Sequence, residues 1–183
     1  MDSPVARIAL VTGGAGGIGA AVCRALAAQG RRVAVADLDG EGAALIAAEV
    51  GGFGLALDVT DPGSVDHALE EVRARLGPVA ILVSCAGWDE MRPFAETDEP
   101  FQARVLEINL AGPIRVVRSA LPDMQEQRFG RIVLVSSDAA RVGSSGEAIY
   151  AAAKGGLVSL AKSVAREIVR DGITANCVCP GPT

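Results

Sequence analysis

The sequence predicts an α/β fold, a doubly wound parallel sheet in a single domain that spans residues 1–183. Six short runs rich in β-branched residues alternate with longer stretches whose apolar residues recur at i, i+3 and i+4. Several of the short runs are apolar nearly throughout, as in Ile132–Val135, which is typical of strands covered on both faces. Helix-length connections between them favour right-handed parallel crossovers.

The predicted strands are Arg7–Thr12, Arg32–Asp37, Gly54–Asp58, Val79–Ser84, Arg131–Ser136 and Ile173–Val178, and the shorter helical patterns include Ile18–Ala28 and Val65–Leu76. A long helical pattern, Asp98–Gln127, contains Pro113 and Pro122, and we predict that it is kinked or divided because proline removes a helical hydrogen bond. A second one, Ala148–Arg170, is interrupted only by Gly155-Gly156. Close packing against another backbone would explain that pair.

Composition and charge exclude several classes of protein. The formal net charge is -5 with scattered Lys and Arg, which argues against nucleic acid as a partner. No apolar run approaches the roughly 18 residues of a membrane span, and Met1–Pro4 does not begin a secretory signal. The cysteines lack C-x-x-C spacing and His67 is the only histidine, so we expect no metal site. These features predict a cytoplasmic protein.

A glycine-rich turn follows the first strand. Five of the eight residues of Thr12–Gly19 are glycine, and a helical pattern begins directly afterwards. Glycine permits a sharp turn and a close approach of the backbone to a phosphate, which the free N–H groups of the helix would bind. An ordinary tight turn is the alternative, but this context favours a dinucleotide site. The candidate phosphate-binding residues are Gly13, Gly16, Gly17, Ile18 and Gly19.

An acidic residue, Asp37, ends the second predicted strand. A carboxylate there can accept hydrogen bonds from both hydroxyls of an adenosine ribose, and it would repel the 2′-phosphate of NADP. Leu38 follows it and offers no positive charge, while Arg31 and Arg32 stand at the beginning of the strand. These positions predict NAD rather than NADP as the cofactor.

A tyrosine and a lysine, Tyr150 and Lys154, lie one helical turn apart at the start of a predicted helix. A nearby ammonium group favours the phenolate form of tyrosine, so the pair can exchange a proton near neutral pH. This spacing also occurs by chance in many helices. Ser136-Ser137, at the end of the preceding predicted strand, raises its weight because ligands bind at that end of open α/β sheets.

These motifs together resemble the short-chain dehydrogenase/reductase family, and they cover essentially the whole chain in the family's order. They are Thr12-Gly-x-x-x-Gly17-x-Gly19, Asp58-Val59, Ala86-Gly87, Asn109, Ser137, Tyr150-x-x-x-Lys154 and Asn176-x-x-x-Pro180-Gly181. The resemblance implies a Rossmann-type sheet of strand order 3-2-1-4-5-6. Family spacing also selects Ser137 over Ser136, because the catalytic serine stands thirteen residues before the tyrosine.

The resemblance also implies a role for each matching residue. Tyr150 is the general acid/base, and Ser137 polarises the substrate oxygen. Lys154 holds the nicotinamide ribose and lowers the pKa of the tyrosine, and Asn109 anchors a water of a proton relay. The implied cofactor contacts further include Leu38, Asp58, Val59, Cys85, Ala86, Gly87, Tyr150, Pro180, Gly181 and Thr183. On the residues alone, Asp58 could instead cap a turn and Asn109 could bond within its helix.

Two departures from the family pattern stand out. Ser84-Cys85 replaces an Asn-Asn pair, so the amide hydrogen bonds of that pair are lost. The chain ends at Thr183, whereas family members usually run to about 250 residues. We therefore expect that a seventh strand and a substrate-covering segment are absent from this sequence.

The substrate is assigned by similarity to a narrower subgroup. Ser136–Tyr150 and Cys177–Thr183 are similar to 2-hydroxycyclohexanecarboxyl-CoA dehydrogenases. This predicts NAD-dependent interconversion of a secondary alcohol and a ketone, with a CoA thioester as the expected substrate. The alternatives are an NADPH-dependent 3-oxoacyl-acyl-carrier-protein reductase and a non-catalytic NAD-binding fragment. Candidate substrate-pocket residues are Trp88, Met91 and Arg141.

The resemblance further implies a homodimer or homotetramer. In the family, the long helices around Asn109 and Lys154 pair with those of a second subunit. Apolar residues that suit this interface are Val116, Val117, Leu157 and Leu160. The alternative is that these residues pack on their own sheet.

Overall fold

The structure, a computed structural model, describes residues 6–181 as a six-stranded parallel sheet with helices on both faces. The strands are β1 (Ile8–Thr12), β2 (Arg32–Asp37), β3 (Phe53–Ala56), β4 (Val79–Ser84), β5 (Gly130–Val135) and β6 (Ile173–Val178). The main helices are α1 (Gly17–Ala28), α2 (Gly40–Val50), α3 (Pro62–Arg75), α4 (Glu99–Leu106), α5 (Gly112–Glu126), α6 (Ala139–Val142) and α7 (Ala148–Ile168). The order β3-β2-β1-β4-β5-β6 confirms the predicted Rossmann-type topology.

The core lies on both faces of the sheet, as the nearly continuous apolar strands predict. Alternate residues of β1 enter different layers, because side chains along a strand point to opposite faces. Leu10 packs with residues of α3, α5 and α7 on one face, while Val11 packs with residues of α1 and α2 on the other. Both side chains are fully buried.

The carboxyl ends of the central strands meet at one edge of the sheet. Thr12 at the end of β1 is in register with Ala36 of β2 and with Ser84 of β4. The strand order reverses between β1 and β4, so the segments that follow these strands diverge and leave a crevice. The glycine turn, Asp37 and Cys85 therefore converge on one place.

The long helical pattern before β5 is divided, as predicted. The division lies at the first of its two prolines and not at the second. A π-helical turn, Glu107–Ala111, joins α4 to α5 directly before Gly112-Pro113. Pro113 has no N–H to donate to the carbonyl of residue 109, so the regular hydrogen-bond ladder stops there. Pro122 lies inside α5 without ending it.

Two further expectations about local structure need correction. β3 ends at Ala56, two residues before the predicted Asp58. A Cβ on Gly155 would lie 3.9 Å from the backbone oxygen of Ala140, but Gly156 packs against a side chain instead, with 2.9 Å between Leu110 Cδ1 and the position of its Cβ. The sequence also did not single out α2, which connects β2 to β3.

The residues expected at a subunit interface lie mostly inside the chain's own core. Val116, Val117 and Leu157 are buried, and Leu160 packs against the same cluster. The alternative interpretation is therefore correct for Val116, Val117 and Leu157, and the homodimer or homotetramer stays a prediction. Within residues 6–181, no helix is both long and apolar enough to cross a membrane.

Candidate active site

The glycine turn contains two kinds of glycine. Gly13 has a φ of +66°, and a Cβ on it would lie 2.7 Å from the backbone nitrogen of Ala86. A Cβ on Gly19 would overlap the carbonyl oxygen of Gly13. These two positions must be glycine for the turn to form at all.

Gly16 and Gly17 differ, because the turn itself does not require them. The nearest atom to a Cβ on Gly16 is 3.5 Å away, and a Cβ on Gly17 would have no neighbour within 4 Å. Gly16 precedes the first residue of α1 and makes no side-chain cap. The free N–H groups of α1 are therefore left open, which is the arrangement that suits a bound phosphate.

A cleft of about 630 Å³ runs from this turn across the carboxyl ends of the strands. It is lined by Gly13, Ala15, Gly16, Asp37, Leu38, Asp39, Leu57, Asp58, Val59, Thr60, Cys85, Ala86, Gly87, Trp88, Arg104 and Ile108. The cleft thus brings together most of the residues expected to contact the nucleotide half of a cofactor. The sequence analysis did not assign Asp39, Leu57, Thr60 or Arg104 to a site, since none stands in a recognisable motif, and it left Ala15 unassigned because Ala15 is a variable position of the glycine motif.

Asp37 is tied to the glycine turn. One of its carboxylate oxygens accepts a hydrogen bond from the Ala15 N–H at 3.0 Å, and the other accepts one from the Asp39 N–H at 3.0 Å. Leu38 is 74% exposed and lies at the rim of the cleft. Two carboxylates, Asp37 and Asp39, therefore line this end of the cleft.

Asp58 combines both interpretations that the sequence left open. One carboxylate oxygen accepts hydrogen bonds from the N–H and the hydroxyl of Thr60, at 2.8 and 2.7 Å, and so caps the turn after β3. Both Asp58 and Val59 also line the cleft. β3 ends at Ala56, opposite Asp37, the last residue of its partner strand β2, and the local cap orients the Asp58 carboxyl group.

A smaller pocket of about 240 Å³ holds the expected catalytic groups. It is lined by Ile18, Cys85, Gly87, Trp88, Asp89, Val135, Ser136, Ser137, Tyr150, Lys154, Pro180 and Gly181. The end of β5 and the start of α7 supply the serine, the tyrosine and the lysine. Cys85, Gly87 and Trp88 line both cavities, so the pocket continues from the cleft. Thr183 lies outside the described residues.

The two adjacent serines have different partners. The Ser136 hydroxyl is buried and donates to the carbonyl oxygen of Lys154 at 2.8 Å, which ties β5 to α7. The Ser137 hydroxyl accepts a hydrogen bond from the Ala139 N–H at 3.2 Å and lies beside the phenol of Tyr150. The geometry therefore agrees with the choice of Ser137, because the Ser136 hydroxyl is already engaged.

Lys154 is buried, and its ammonium group donates to the carbonyl oxygen of Val135 at 3.0 Å. Burial lowers the pKa of Lys154 to about 8, while the thiols of Cys85 and Cys177 act in the opposite direction. A lysine with this pKa can take up and release a proton near neutral pH.

The resemblance implied that Lys154 lowers the pKa of Tyr150, and the structure shows a different balance. Lys154 Nζ lies 5.5 Å from the centre of the tyrosine ring. Burial raises the pKa of Tyr150, the Ser137 hydroxyl lowers it in part, and the carboxylates of Asp89 and Glu147 raise it further. The net direction is upward, so the phenol keeps its proton at neutral pH.

Asn109 is fully buried in the π-helical turn and holds the loop after β4. Its amide nitrogen donates to the carbonyl oxygens of Trp88 and Val105, and its amide oxygen accepts from the Trp88 N–H at 3.2 Å. A Cβ on Gly87 would lie 2.9 Å from the amide oxygen of Asn109 and 3.3 Å from Lys154 Nζ. Asn109 and Lys154 therefore approach each other at Gly87, while Asn109 also bonds within its helix.

Thr12 is the principal partner of the Ser84-Cys85 pair. The carbonyl oxygen of Thr12 accepts from the Cys85 N–H at 3.0 Å, and its hydroxyl reaches Ser84 Oγ at 3.5 Å and the Ala86 N–H at 3.4 Å. Burial raises the pKa of the Cys85 thiol to about 12, so it stays protonated. The threonine that opens the glycine motif thus connects β1 to β4 where the amide pair is missing.

The three candidate substrate-pocket residues do not lie in the same place. Trp88 lines the catalytic pocket, as expected. Met91 is 74% exposed and does not line it. Arg141 lines a separate cavity beside β6, with Lys162 and Cys179. Asp89, which the sequence analysis did not single out, lies in the catalytic pocket instead.

The buried lysine has a consequence for stability. We expect the free energy of unfolding of the wild type, minus that of Lys154→Met, to rise by about 3 kcal/mol between pH 8 and pH 10.5. The native lysine loses its proton near pH 8 and the unfolded one near pH 10.5, so between these values the unfolded state binds more protons. Below pH 8 the wild type bears the full cost of the buried charge.

Urea unfolding of both proteins across this pH range measures the effect. The difference between them is the required quantity, because the raised pKa of Cys23, which does not depend on Lys154, affects both proteins alike. A difference that does not change with pH would contradict the assignment.

Comparison with known proteins agrees with this geometry. A family model described as short chain dehydrogenase matches residues 7–183. The chain therefore belongs to the short chain dehydrogenase family, a family of oxidoreductases that act on CH–OH groups with a nicotinamide dinucleotide.

Two curated relatives have the same described activity. The chain is 43% identical to the 3-oxoacyl-acyl-carrier-protein reductase MabA of Mycobacterium avium, over 97% of this chain and 67% of that protein. It is 40% identical to the 3-oxoacyl-acyl-carrier-protein reductase FabG of Escherichia coli strain K12, over 96% of this chain and 72% of that protein.

Solved structures show the same fold. A structure described as sorbitol-6-phosphate 2-dehydrogenase SrlD from Erwinia amylovora superposes with a TM-score of 0.90 at 31% identity, over 93% of this chain and 70% of that one. Another, described as ribose-5-phosphate isomerase from Brucella melitensis 16M, gives a TM-score of 0.92 at 37% identity, over 97% and 69%. Because these descriptions differ, the shared fold by itself does not assign the substrate.

Proposed function

We propose that this chain is an NAD(H)-dependent oxidoreductase that interconverts a 3-oxoacyl thioester and the corresponding 3-hydroxyacyl thioester. The observation that carries the proposal is the pocket in which Ser137, Tyr150 and Lys154 meet, joined to the cleft that contains Asp37. The curated relatives favour a 3-oxoacyl substrate over the 2-hydroxycyclohexanecarboxyl-CoA predicted from the sequence. The thioester class is therefore taken from the alternative assignment.

In ketone reduction, each catalytic residue of the pocket has a different role. A bound nicotinamide would supply the hydride for the carbonyl carbon. Tyr150 donates its phenolic proton to the carbonyl oxygen, and its raised pKa keeps that proton available at neutral pH. Ser137 hydrogen-bonds the same oxygen and stabilises the charge that develops on it. Oxidation of the alcohol reverses each transfer.

Lys154 and Asn109 act behind the tyrosine in this proposal. Lys154 has a pKa of about 8 and lies beside Gly87, so it can return a proton to the phenolate after each turnover. Asn109 positions the loop of Gly87 and Trp88 through its two hydrogen bonds to the backbone of Trp88. The family resemblance implies that Asn109 anchors a water molecule. In this proposal, that water would pass a proton between Lys154 and solvent.

The preference for NAD(H) rests on the charge at one end of the cleft. Asp37 and Asp39 both line it, and a ribose 2′-phosphate would bring a dianion close to these two carboxylates. Like charges in contact at a binding site oppose association strongly. The ribose hydroxyls of NAD would instead donate hydrogen bonds to Asp37.

Steady-state kinetics with acetoacetyl-N-acetylcysteamine test the proposal. We expect reduction with NADH at a kcat/KM at least about tenfold above that with NADPH. Asp37→Asn keeps the shape of the side chain. In this variant the ratio of kcat/KM with NADH to kcat/KM with NADPH is expected to be smaller, mainly because kcat/KM with NADPH rises. Faster turnover with NADPH by the wild type would overturn the cofactor assignment.

A second set of rates tests the substrate class. Oxidation of 3-hydroxybutyryl-CoA and of 2-hydroxycyclohexanecarboxyl-CoA is compared at the same concentration of NAD. The proposal expects a higher kcat/KM for the 3-hydroxyacyl thioester. The reverse order would restore the substrate that the sequence predicted.

A further inference from the structure

The charges that line the larger cleft are unevenly distributed. Among the described residues, three carboxylates line it, Asp37, Asp39 and Asp58, but only one cationic side chain does, Arg104. Lys154 lines the smaller pocket and directs its ammonium group to the carbonyl of Val135. A dinucleotide brings two phosphate charges into this cleft, where the N-terminus of α1 supplies only the partial charge of a helix dipole.

Arg104 is held in place by an aromatic stack. Its guanidinium carbon lies 3.8 Å from the centre of the Trp88 ring, within the distance of a cation–π contact. Trp88 packs edge-on against Phe101, with 6.0 Å between the ring centres. The backbone of Trp88 is bonded on both sides to the buried amide of Asn109. The arginine therefore rests on a well-supported surface.

The hydrogen-bond donors of Arg104 are not used within the part of the chain that the structure describes. Its guanidinium has no hydrogen-bond or ion-pair partner among residues 6–181, in contrast to neighbouring arginines. Arg92 pairs with Glu90, and Arg115 pairs with Glu107 and with the carbonyl of Val59. Stacking occupies the face of a guanidinium and leaves its N–H groups free in the plane.

We propose that Arg104 binds the pyrophosphate of the dinucleotide from the α4 side of the cleft. The proposal rests on the assignment of this cleft to the cofactor in the proposed function. Arg104 lines the cleft together with Asp37 and Gly16 and does not line the pocket of Tyr150. The phosphate groups of a CoA thioester could also bind an arginine, but the reacting carbonyl of such a substrate belongs in the smaller pocket. The position of Arg104 therefore favours the cofactor.

Calorimetric titrations with ADP-ribose and adenosine test this role. Arg104→Leu is expected to weaken ADP-ribose binding about tenfold, since charge-assisted hydrogen bonds to the phosphates are lost. Adenosine, which has no phosphate, is expected to bind both proteins equally. Added salt should weaken ADP-ribose binding more in the wild type than in the variant. Arg104→Lys, which keeps the charge but not the planar fork, is expected to fall between them.

Arg31→Leu is the matched control. Arg31 precedes β2 and so lies at the opposite edge of the sheet from the cleft. It removes the same charge from the chain, and ADP-ribose binding should be unchanged. Thermal unfolding of each variant shows whether the fold is intact, and a loss of adenosine binding in Arg104→Leu would mean a structural role and overturn the proposal.

The remaining outcomes separate the two proposals. If the wild type and Arg104→Leu bind ADP-ribose equally, Arg104 does not contact the pyrophosphate and this inference fails alone. If Arg104→Leu raises KM only for acetoacetyl-CoA, and not for the phosphate-free acetoacetyl-N-acetylcysteamine, the arginine serves the substrate instead. If the wild type binds neither ADP-ribose nor NADH, the assignment of the cleft and the inference fail together.

Discussion

Tyr150→Phe is expected to lower kcat for ketone reduction by about a thousandfold, with little change in NADH affinity. Phenylalanine keeps the ring but removes the only group that can donate a proton to the substrate oxygen in this proposal. The remaining rate would come from the bound reactants and from the Ser137 hydroxyl. Pre-steady-state and steady-state rates with acetoacetyl-N-acetylcysteamine measure the loss.

The adjacent serines provide the matched comparison for this result. Ser137→Ala should also lower kcat, because the Ser137 hydroxyl lies beside the phenol. Ser136→Ala should instead lower stability, because its hydroxyl holds the carbonyl of Lys154. If Tyr150→Phe kept its kcat within tenfold of the wild type while binding NADH normally, a different acid would have to be sought.

Gly19→Ala is the second large effect that we expect. A Cβ at this position overlaps the carbonyl oxygen of Gly13, so the turn cannot keep its shape. Overpacking against a backbone atom is expected to cost about 3 kcal/mol of the free energy of unfolding. Since Gly13 lines the cleft, NADH binding should be lost as well. Urea unfolding and NADH titration measure the two effects separately.

Gly17→Ala separates a structural glycine from a ligand-facing one. A Cβ there meets no protein atom within 4 Å and lies in the first turn of α1, where alanine is the better helix former. Stability should therefore be unchanged or slightly higher. NADH binding should nevertheless weaken, because the methyl group would lie beside the open N–H groups of α1 that are proposed to bind a phosphate. Equal NADH affinity in Gly17→Ala and the wild type would contradict the prediction that Gly17 lies beside a bound phosphate.

The accuracy of the sequence analysis differs between the parts of the site. The short motifs located Ser137, Tyr150 and Lys154, because their spacing follows from one strand end and one helix turn. The net direction of the Tyr150 pKa could not be predicted: it is upward, since burial and two carboxylates from separate loops outweigh the Ser137 hydroxyl, and the effect of Lys154 on it stays a prediction. Spacing along the chain carries no information on how deeply a group is buried.

Residues that act through long-range contacts were the hardest to find. Arg104 belongs to no motif, and its position on Trp88 depends on the fold between β4 and α4. Asp39 was overlooked because it also caps α2, an ordinary local role. Arg141 was assigned to the substrate pocket from its place in a similar stretch, but α6 directs it into the cavity beside β6. Such errors arise where a side chain's direction is set by packing.

The sequence by itself determined the alternation of strands and helices, the glycine turn and the acidic end of β2, because these depend on neighbouring residues and on simple periodicity. Only the tertiary structure decided which glycines the turn requires, which serine is free and how Asn109 meets Lys154 at Gly87. It also decided that one arginine stands among three carboxylates in the cleft. These properties depend on atoms from distant parts of the chain, and their geometry exists only after the six strands are placed side by side.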